Sequence, residues 1–323
     1  MTQKRNSLNQ CPNNTEAQNL TVVSEFHLMS LSEDPELQPI LFGVFLSLYL
    51  ITVLGNLLII LAVSLDSHLH IPMYFFLSNL SFTDICFIST TVPKMIWDIQ
   101  AQSRSISYVG CLTQMSMFII FGCMDSMILS VMAYDRFVAI CHPLHYQVIM
   151  NPHLCAFLVL ISVLFSLLDS QVHNFIVLQF TYFSDREISN FFCDPSQLLN
   201  VDCSEMVTKS IITHFVGVLF GLVSSSGILF SYCKIISSVM RVPSSGGRYK
   251  AFSTCASHLS VVCLFYGTSI GVYVGSAVSN SPENCAVASL MYTVVTPMLN
   301  PFIYSLRNRD IKNVLLRLQS RKI

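Results

Sequence analysis

Asp84 and Asp125 are carboxylates inside the long apolar runs of this 323-residue chain, and Asn56 and Asn300 are amides inside two others. A charge at the centre of a bilayer costs at least ~2.5–3.5 kcal/mol on insertion scales, so a carboxylate there needs a reason. A rise of 1.5 Å per residue from the inner ends of their runs puts Asp84 about 20 Å and Asp125 about 15 Å up, with Asn56 and Asn300 at roughly 14 and 10 Å. All four fall in one broad middle layer. Two chemistries fit. Asp84 and Asp125 can share a proton or a hard cation such as Na⁺, because two close carboxylates do not both stay ionised without compensation. Alternatively, Asn56, Asp84 and Asn300 are interhelical hydrogen-bond glue without chemistry of their own.

A second constellation, Asp135-Arg136, closes the third apolar run within Met132-Ala-Tyr-Asp-Arg-Phe-Val-Ala-Ile-Cys-His-Pro-Leu144. Adjacent opposite charges at a membrane boundary can be plain anchors. Arginine also presents five donors and can exchange partners, as a two-state latch requires. Pro297 and Pro301 free backbone carbonyls and permit a kink, and Asn300 is placed to satisfy them. Cys141, His142 and His145 lack a fourth ligand and read as loop chemistry rather than zinc. The sequence holds no phosphate-cradling glycine loop and no nucleophile–base pattern, which argues against an enzyme.

These residues imply elements that hold them in an apolar medium. Lys+Arg 17 and Asp+Glu 18 sum to 35 charged side chains, against about 80 for a soluble chain of this length. Hydrophobic residues make up 53% of the chain and the mean hydropathy is +0.60. Seven stretches are long enough to span: 40–65, 72–97, 106–134, 154–180, 210–233, 251–282 and 284–306. Without barrel-type alternation, helices are the way to satisfy the backbone in lipid. The expected fold is an all-α membrane protein, a seven-transmembrane helix bundle with a short amphipathic cytoplasmic eighth helix. The divisions are an N-terminal tail 1–38, a membrane domain 39–306 and a tail 307–323.

With the N-terminus outside, eleven Lys and Arg residues lie on the cytoplasmic side and six on the other, as the positive-inside bias requires. Sequons at Asn13 and Asn19 occupy the same outer tail, whereas the match at Asn79 lies inside a span. A net charge of −1 argues against a nucleic-acid partner. In the last segment Ile311, Val314, Leu315 and Leu318 recur at helical spacing, which predicts an amphipathic helix with its apolar face in membrane lipid and its basic residues toward head groups. The runner-up from another class is an ion-coupled secondary transporter or channel using the intramembrane carboxylates, although no internal repeat supports it.

Gly55-Asn56, Pro72-Met-Tyr-Phe-Phe-Leu77, Met132-Ala-Tyr-Asp-Arg136, Ser231-Tyr232, Lys250-Ala-Phe-Ser-Thr-Cys-Ala-Ser-His258 and Pro297-Met-Leu-Asn-Pro-Phe-Ile-Tyr304 together resemble the signature of vertebrate odorant receptors. These are rhodopsin-like G-protein-coupled receptors, and the match, over residues 24–318, is most similar to family 7 of the tetrapod-type branch. The resemblance implies a small-molecule odorant ligand, a stimulatory-type heterotrimeric G protein as partner, and a place in the plasma membrane. It also implies an ionic latch at Asp135 and Arg136, with Tyr232, Asn300, Pro301 and Tyr304 in the activation machinery. Asp84 and Asp125 fall on the family's sodium site, with Asp125 where Glu is usual; no other cofactor is implied. Cys111 and Cys193 match the disulfide that ties the second extracellular loop over the pocket.

If that disulfide fixes the outer end of the third helix, its inward turns present Phe118, Ile119, Gly122, Cys123 and Ser126. By resemblance Val216, Phe220, Tyr266, Ile270, Tyr273, Leu290 and Thr293 face them. This set carries no fixed charge, which suits a small, largely neutral and hydrophobic ligand rather than an amine. Two positions depart from the family pattern: Phe137 follows the latch where Tyr is usual, and Phe183 replaces a loop cysteine whose partner matches Cys203. Outer cysteines Cys11, Cys111, Cys193, Cys203 and Cys285 number five, so at least one is unpaired or bridges chains.

Overall fold

A computed structural model of the chain describes residues 24–32, 34–178, 186–195, 198, 206–241, 243–278, 282–307 and 309–320. The described residues contain seven helices long and apolar enough to cross a membrane. They are α1 (Gln38–Leu65), α2 (Pro72–Ala101), α3 (Tyr108–Cys141), α4 (Pro152–Leu178), α5 (Met206–Val239), α6 (Ser245–Val278) and a composite α7. The last joins Pro282–Leu290 through a π-helical turn, Met291–Val295, to Thr296–Arg307. A final helix, α8, covers Arg309–Ser320. Helices α3, α5 and α6 run past the inner ends of their apolar stretches. Apolar sequence records only the hydrocarbon, whereas a helix continues as long as its backbone bonds close.

Local chemistry sets the ends. Pro72 opens α2, where a missing N–H costs nothing. Ser107 caps α3 by accepting from Gly110 N at 3.1 Å, and Asn151 Oδ1 accepts Leu154 N at 2.9 Å at the start of α4. Gln102 closes α2 in the left-handed region, φ 49°, and its Nε2 reaches Gln38 Oε1 at 3.4 Å. Three short strands cross the N-terminal face of the bundle: β1 (Glu25–Leu28) pairs antiparallel with β2 (Ser105–Ser107) and parallel with β3 (Glu187–Ile188). The order β2-β1-β3 puts the N-terminal strand in the centre, with His27 opposite both Ser105 and Glu187.

Among the described residues the core is one main apolar cluster through all seven spanning helices, with smaller ones beneath the sheet around Phe26, Met115 and Cys193 and at the inner ends of α5 and α6 around Ile235, Val239 and Cys255. The eighth helix corrects an expectation. Its face does not simply lie in lipid: Ile311 and Val314 are fully buried in the main cluster. Tyr74 donates to Asp310 Oδ2 at 3.0 Å and Arg317 lies 3.6 Å from Asp66. Packed atoms of the bundle give Ile311 and Val314 denser contact than mobile acyl chains can. Leu316, on the other side, is exposed.

Candidate functional site

At the inner end of α3, Arg136 Nη2 lies 2.5 Å and Nε 3.2 Å from Asp135 Oδ2. Asp135 is fully buried, and its other oxygen accepts from Tyr146 at 2.7 Å. Tyr146 belongs to the short helix Tyr146–Ile149 between α3 and α4. Burial and the Asp135 charge hold its phenol protonated, well above the ordinary tyrosine range. Nearby, Tyr232 OH meets His258 Nδ1 at 2.7 Å and the two rings stack. His258 Nε2 then lies 3.0 Å from the Leu129 carbonyl. Neutral imidazole has one donor and one acceptor nitrogen, so this chain closes with Tyr232 donating and His258 donating on to Leu129. It ties α5 to α6 and α6 to α3. The Tyr304 hydroxyl is buried and has no hydrogen-bond partner among the described residues.

The middle layer is organised by the prolines of α7. Pro301 has no N–H to donate to the Pro297 carbonyl four residues back. Asn56 Nδ2 approaches that carbonyl at 3.5 Å while also donating to Thr52 O at 3.1 Å. Gly55 lets the helices close, since a Cβ there would meet Pro301 Cγ at 3.1 Å. The Gly-Asn pair of α1 and the second proline of α7 therefore serve one contact. Asn300 does not turn back to the freed carbonyls as the sequence suggests. Its Nδ2 donates to both oxygens of Asp84, at 2.9 and 3.0 Å, because a carboxylate is a stronger acceptor than an amide carbonyl. Asp125 takes a short hydrogen bond from Thr83. The Oδ1 atoms of Asn56 and Asn300 are buried and have no hydrogen-bond partner among the described residues.

Above this layer Phe118 is packed among Phe87 at 5.0 Å between centroids, Phe192 at 4.7 Å and Tyr292 at 6.1 Å. Gly122 has no side chain because the Tyr292 hydroxyl and Phe87 ring would stand 3.0 and 3.2 Å from its Cβ. Ser126, Ser224 and Tyr266 form a hydroxyl triangle across α3, α5 and α6, with edges of 2.5, 2.9 and 3.0 Å. Gln114 fastens the roof: its Nε2 donates to Thr90 O at 3.0 Å and its Oε1 accepts from Cys193 N at 3.0 Å. Cys111 and Cys193 are joined by a disulfide with Cα atoms 5.4 Å apart.

The structure thus brings Phe118, Gly122, Ser126 and Tyr266 to one place, and Ile119 and Leu290 pack partly buried on the same cluster. Thr293 is buried and spends its hydroxyl on Ser289 O at 2.8 Å. Val216 packs on the cluster under the sheet, and Phe220 faces the ring of Phe165 on α4 at 4.7 Å. Cys123 lies against Ser166 and Asp169, and Asp169 is 3.1 Å from His173 on the same helix. Ile270 is 58% exposed, on the outer side of α6, and does not join the set. The side chains of Tyr273 and Cys285, and all of Asn13, Asn19, Cys11, Phe183 and Cys203, lie outside the described residues. Sequence reasoning missed Tyr146, Ser224 and Gln114 and gave His258 no role; only His258 had a signal, its place in a quoted motif. A separate cavity of about 330 Å³ lies beneath the N-terminal segment, between Leu31, Leu41, Ile99 and Phe191.

Seven spanning helices, a disulfide from the outer end of the third helix to the segment between the fourth and fifth, and an Asp-Arg pair near the inner end of the third helix define a receptor bundle of the rhodopsin type. The fold comparison agrees: squid rhodopsin superposes with a TM-score of 0.71 at 16% identity, covering 88% of this chain and 80% of its own. The family profile described as olfactory receptor matches residues 45–322. Olfactory receptor 7E178 of Mus musculus is 67% identical over 318 residues, 98% of this chain and 96% of its own length. Olfactory receptor 7E24 of Homo sapiens is 68% identical over 316 residues, 98% and 93%, and human olfactory receptor 7D4 is 61% identical over 306, 95% and 98%. This chain belongs to the olfactory receptor family. It is a multi-pass membrane receptor for odorants that couples to G proteins, not an enzyme, and nothing in the comparisons favours the transporter or channel alternative.

Proposed function

We propose that this receptor binds small, largely neutral hydrophobic odorants inside the helix bundle and activates a stimulatory-type heterotrimeric G protein. The observation that carries the ligand class is the aromatic group of Phe87, Phe118 and Tyr292 together with the uncharged triangle of Ser126, Ser224 and Tyr266. Aromatic faces suit an apolar body, and paired hydroxyls suit one carbonyl or alcohol. Asp169 and His173 on α4, 3.1 Å apart, offset each other's charge when the histidine is protonated. Ile119, Cys123, Val216, Phe220, Tyr273, Leu290 and Thr293 complete the proposed lining; Ile270, exposed on the outer side of α6, is left out of it.

An agonist opens the receptor only by binding the open state better than the closed one. Contact with Phe118 and Tyr266 bears on α6, whose inner half is held by the bond from His258 to Leu129. Outward movement of α6 breaks that bond, and Arg136 exchanges Asp135 for the incoming partner or for Tyr232 and Tyr304. Asp135 then keeps Tyr146 as its donor. Asp84 and Asp125, with the unpartnered Oδ1 of Asn300, are hard oxygen donors of the kind a sodium ion takes. A bound ion would supply the positive charge that two carboxylates lack. The proposed orientation places the sheet, the disulfide and Asn13 and Asn19 outside the plasma membrane and α8 in the cytoplasm, supported by the Lys and Arg count.

The test is a cAMP reporter in cells expressing the chain against a broad odorant panel. The expected result is a dose-dependent rise for neutral apolar odorants that Arg136→Ala abolishes at equal surface expression. A response confined to charged amines, or one that survives Arg136→Ala, refutes the reading.

A further inference from the structure

Two aromatic rings separate the cavity beneath the N-terminal segment from Phe118. Its roof is held in place: Leu28 N donates to Arg104 O and Met29 N to Asn190 O, both at 2.9 Å. Leu31 and Leu41 from the N-terminal side, and Met95 and Ile99 from the outer end of α2, give it apolar walls. Phe191, buried in the main cluster, closes it toward the bundle. A volume of about 330 Å³ stands at the lower end of small-molecule sites and holds about eleven non-hydrogen atoms at roughly 30 Å³ each. Water against those walls lacks partners on the apolar side, so a molecule with an apolar body displaces it favourably.

The polar part of the wall narrows the choice further. Asp98 lines the cavity with its side chain 13% exposed. One of its oxygens takes Lys94, which is not part of the lining, and the other has no partner among the described residues. Gln102 Nε2 reaches Gln38 Oε1 at 3.4 Å, so the Gln38 amide keeps its own N–H donors for the cavity. Arg104 lines the same space. An incoming ammonium competes with Lys94 for one carboxylate and meets Arg104, and an incoming carboxylate meets Asp98. A hydroxyl avoids both conflicts, since it can donate to Asp98 and accept from Gln38.

We propose that this cavity binds a second small molecule, a neutral alcohol of about ten carbons, which modulates the response to the odorant in the main site. The link runs through aromatic rings. Phe191 lies 5.2 Å from Phe192 between centroids, and Phe192 4.7 Å from Phe118. Asn190 adds a second link: its Oδ1 accepts from Phe191 N at 2.9 Å, and its Nδ2 donates to Ser289 Oγ on α7 at 3.3 Å. With the cavity filled, Phe191 has no space to retreat into, so Phe192 backs Phe118 and less ordering remains for the odorant to impose. Coupling of that kind acts in both directions. The modulation rests on the reading of Phe118 as an odorant contact; occupancy of the cavity does not.

The experiment uses the full receptor in membranes, with menthol, a cyclic alcohol of that size, as the probe. It reads the thiol of Ile99→Cys by its rate of reaction with methyl methanethiosulfonate, measured on the peptide that carries it. Menthol at about ten times its dissociation constant should slow that reaction about tenfold, and p-menthane, which lacks the hydroxyl, or menthylamine by less than about twofold. Val109→Cys, outside the cavity, should show no slowing. Leu41→Trp fills the cavity and should remove the protection; Met95→Trp replaces it if Leu41→Trp fails to reach the surface. In the cAMP reporter, menthol should raise odorant potency about fivefold in the parent and leave it unchanged in Leu41→Trp. No slowing at Ile99→Cys, or equal slowing at Val109→Cys, overturns the site. Equal protection by p-menthane or menthylamine overturns the neutral alcohol and the roles of Asp98 and Gln38. Protection without a potency shift, or with a fall in potency, overturns the modulation. A parent that answers no odorant refutes the odorant reading and the modulation with it, while thiol protection still decides occupancy.

Discussion

Replacing Asn56 with Ala tests the account of the α1–α7 contact, because its cost should depend on a residue 245 positions away. Pro301 withholds a donor from the Pro297 carbonyl, and Asn56 supplies one at 3.5 Å. That bond is long, so its loss belongs at the low end of the range for a buried acceptor left unmade, about 1 kcal/mol. Asn56→Ala also loses the bond to Thr52 and some packing, which are common to any background. In a Pro301→Ala background, residue 301 has an N–H of its own for the Pro297 carbonyl, so Asn56→Ala should cost about 1 kcal/mol less than in the parent. For a chain of this size that corresponds to about 2 °C in apparent melting temperature. A thiol-reactive dye can report it, since Cys155 and Cys255 are buried until the bundle opens. Equal falls in both backgrounds would refute the shared contact and leave Asn56 as ordinary filler.

Tyr146→Phe leaves Asp135 without its second donor once Arg136 moves away, so agonist potency should fall about tenfold or more, from the ~1.5–3 kcal/mol of a hydrogen bond to a charged group. A rise in basal activity at equal surface expression would contradict it. Asp125→Asn should weaken the sodium sensitivity of agonist binding, measured across a sodium series at constant ionic strength with N-methylglucamine as replacement. An unchanged sodium response would leave Asp84 and Asp125 as packing groups. Ser224→Ala removes one corner of the hydroxyl triangle and should lower potency about fivefold for alcohol and carbonyl odorants while sparing pure hydrocarbons, consistent with ~1 kcal/mol per hydrogen bond. Equal shifts for both odorant sets would move Ser224 out of the pocket.

The seven spans were legible because uncharged apolar runs of about 20 residues match the thickness of a bilayer, and seven of them in one chain exceed what a soluble core can cover. The layer of Asn56, Asp84, Asp125 and Asn300 was legible by counting helical rise, and so was the pairing of Asp135 with Arg136. What spacing could not reveal was which neighbour each polar group would choose. Asn300 had two acceptors within one helix turn and took the charged one on another helix. Tyr146 and Ser224 matter only through approaches between helices that no periodicity encodes. The apolar stripe of α8 announced an amphipathic helix, but a stripe does not say whether lipid or protein will cover it. Strands of four, three and two residues are shorter than any pattern can distinguish from loop.

That small sheet also sets an order of events during synthesis. Its central strand, β1, emerges from the ribosome first, yet its parallel partner at Glu187 lies 160 positions later, counting from His27. Four membrane helices must be inserted before the ladder can close. In the proposed orientation, residues 25–28 present open edges to whatever else is in the lumen throughout that interval. Sequence just before the first helix therefore bears on how much receptor reaches the cell surface, even where it touches no ligand, and substitutions at Phe26 or Leu28 should appear as a trafficking defect before they appear as a change in odorant response.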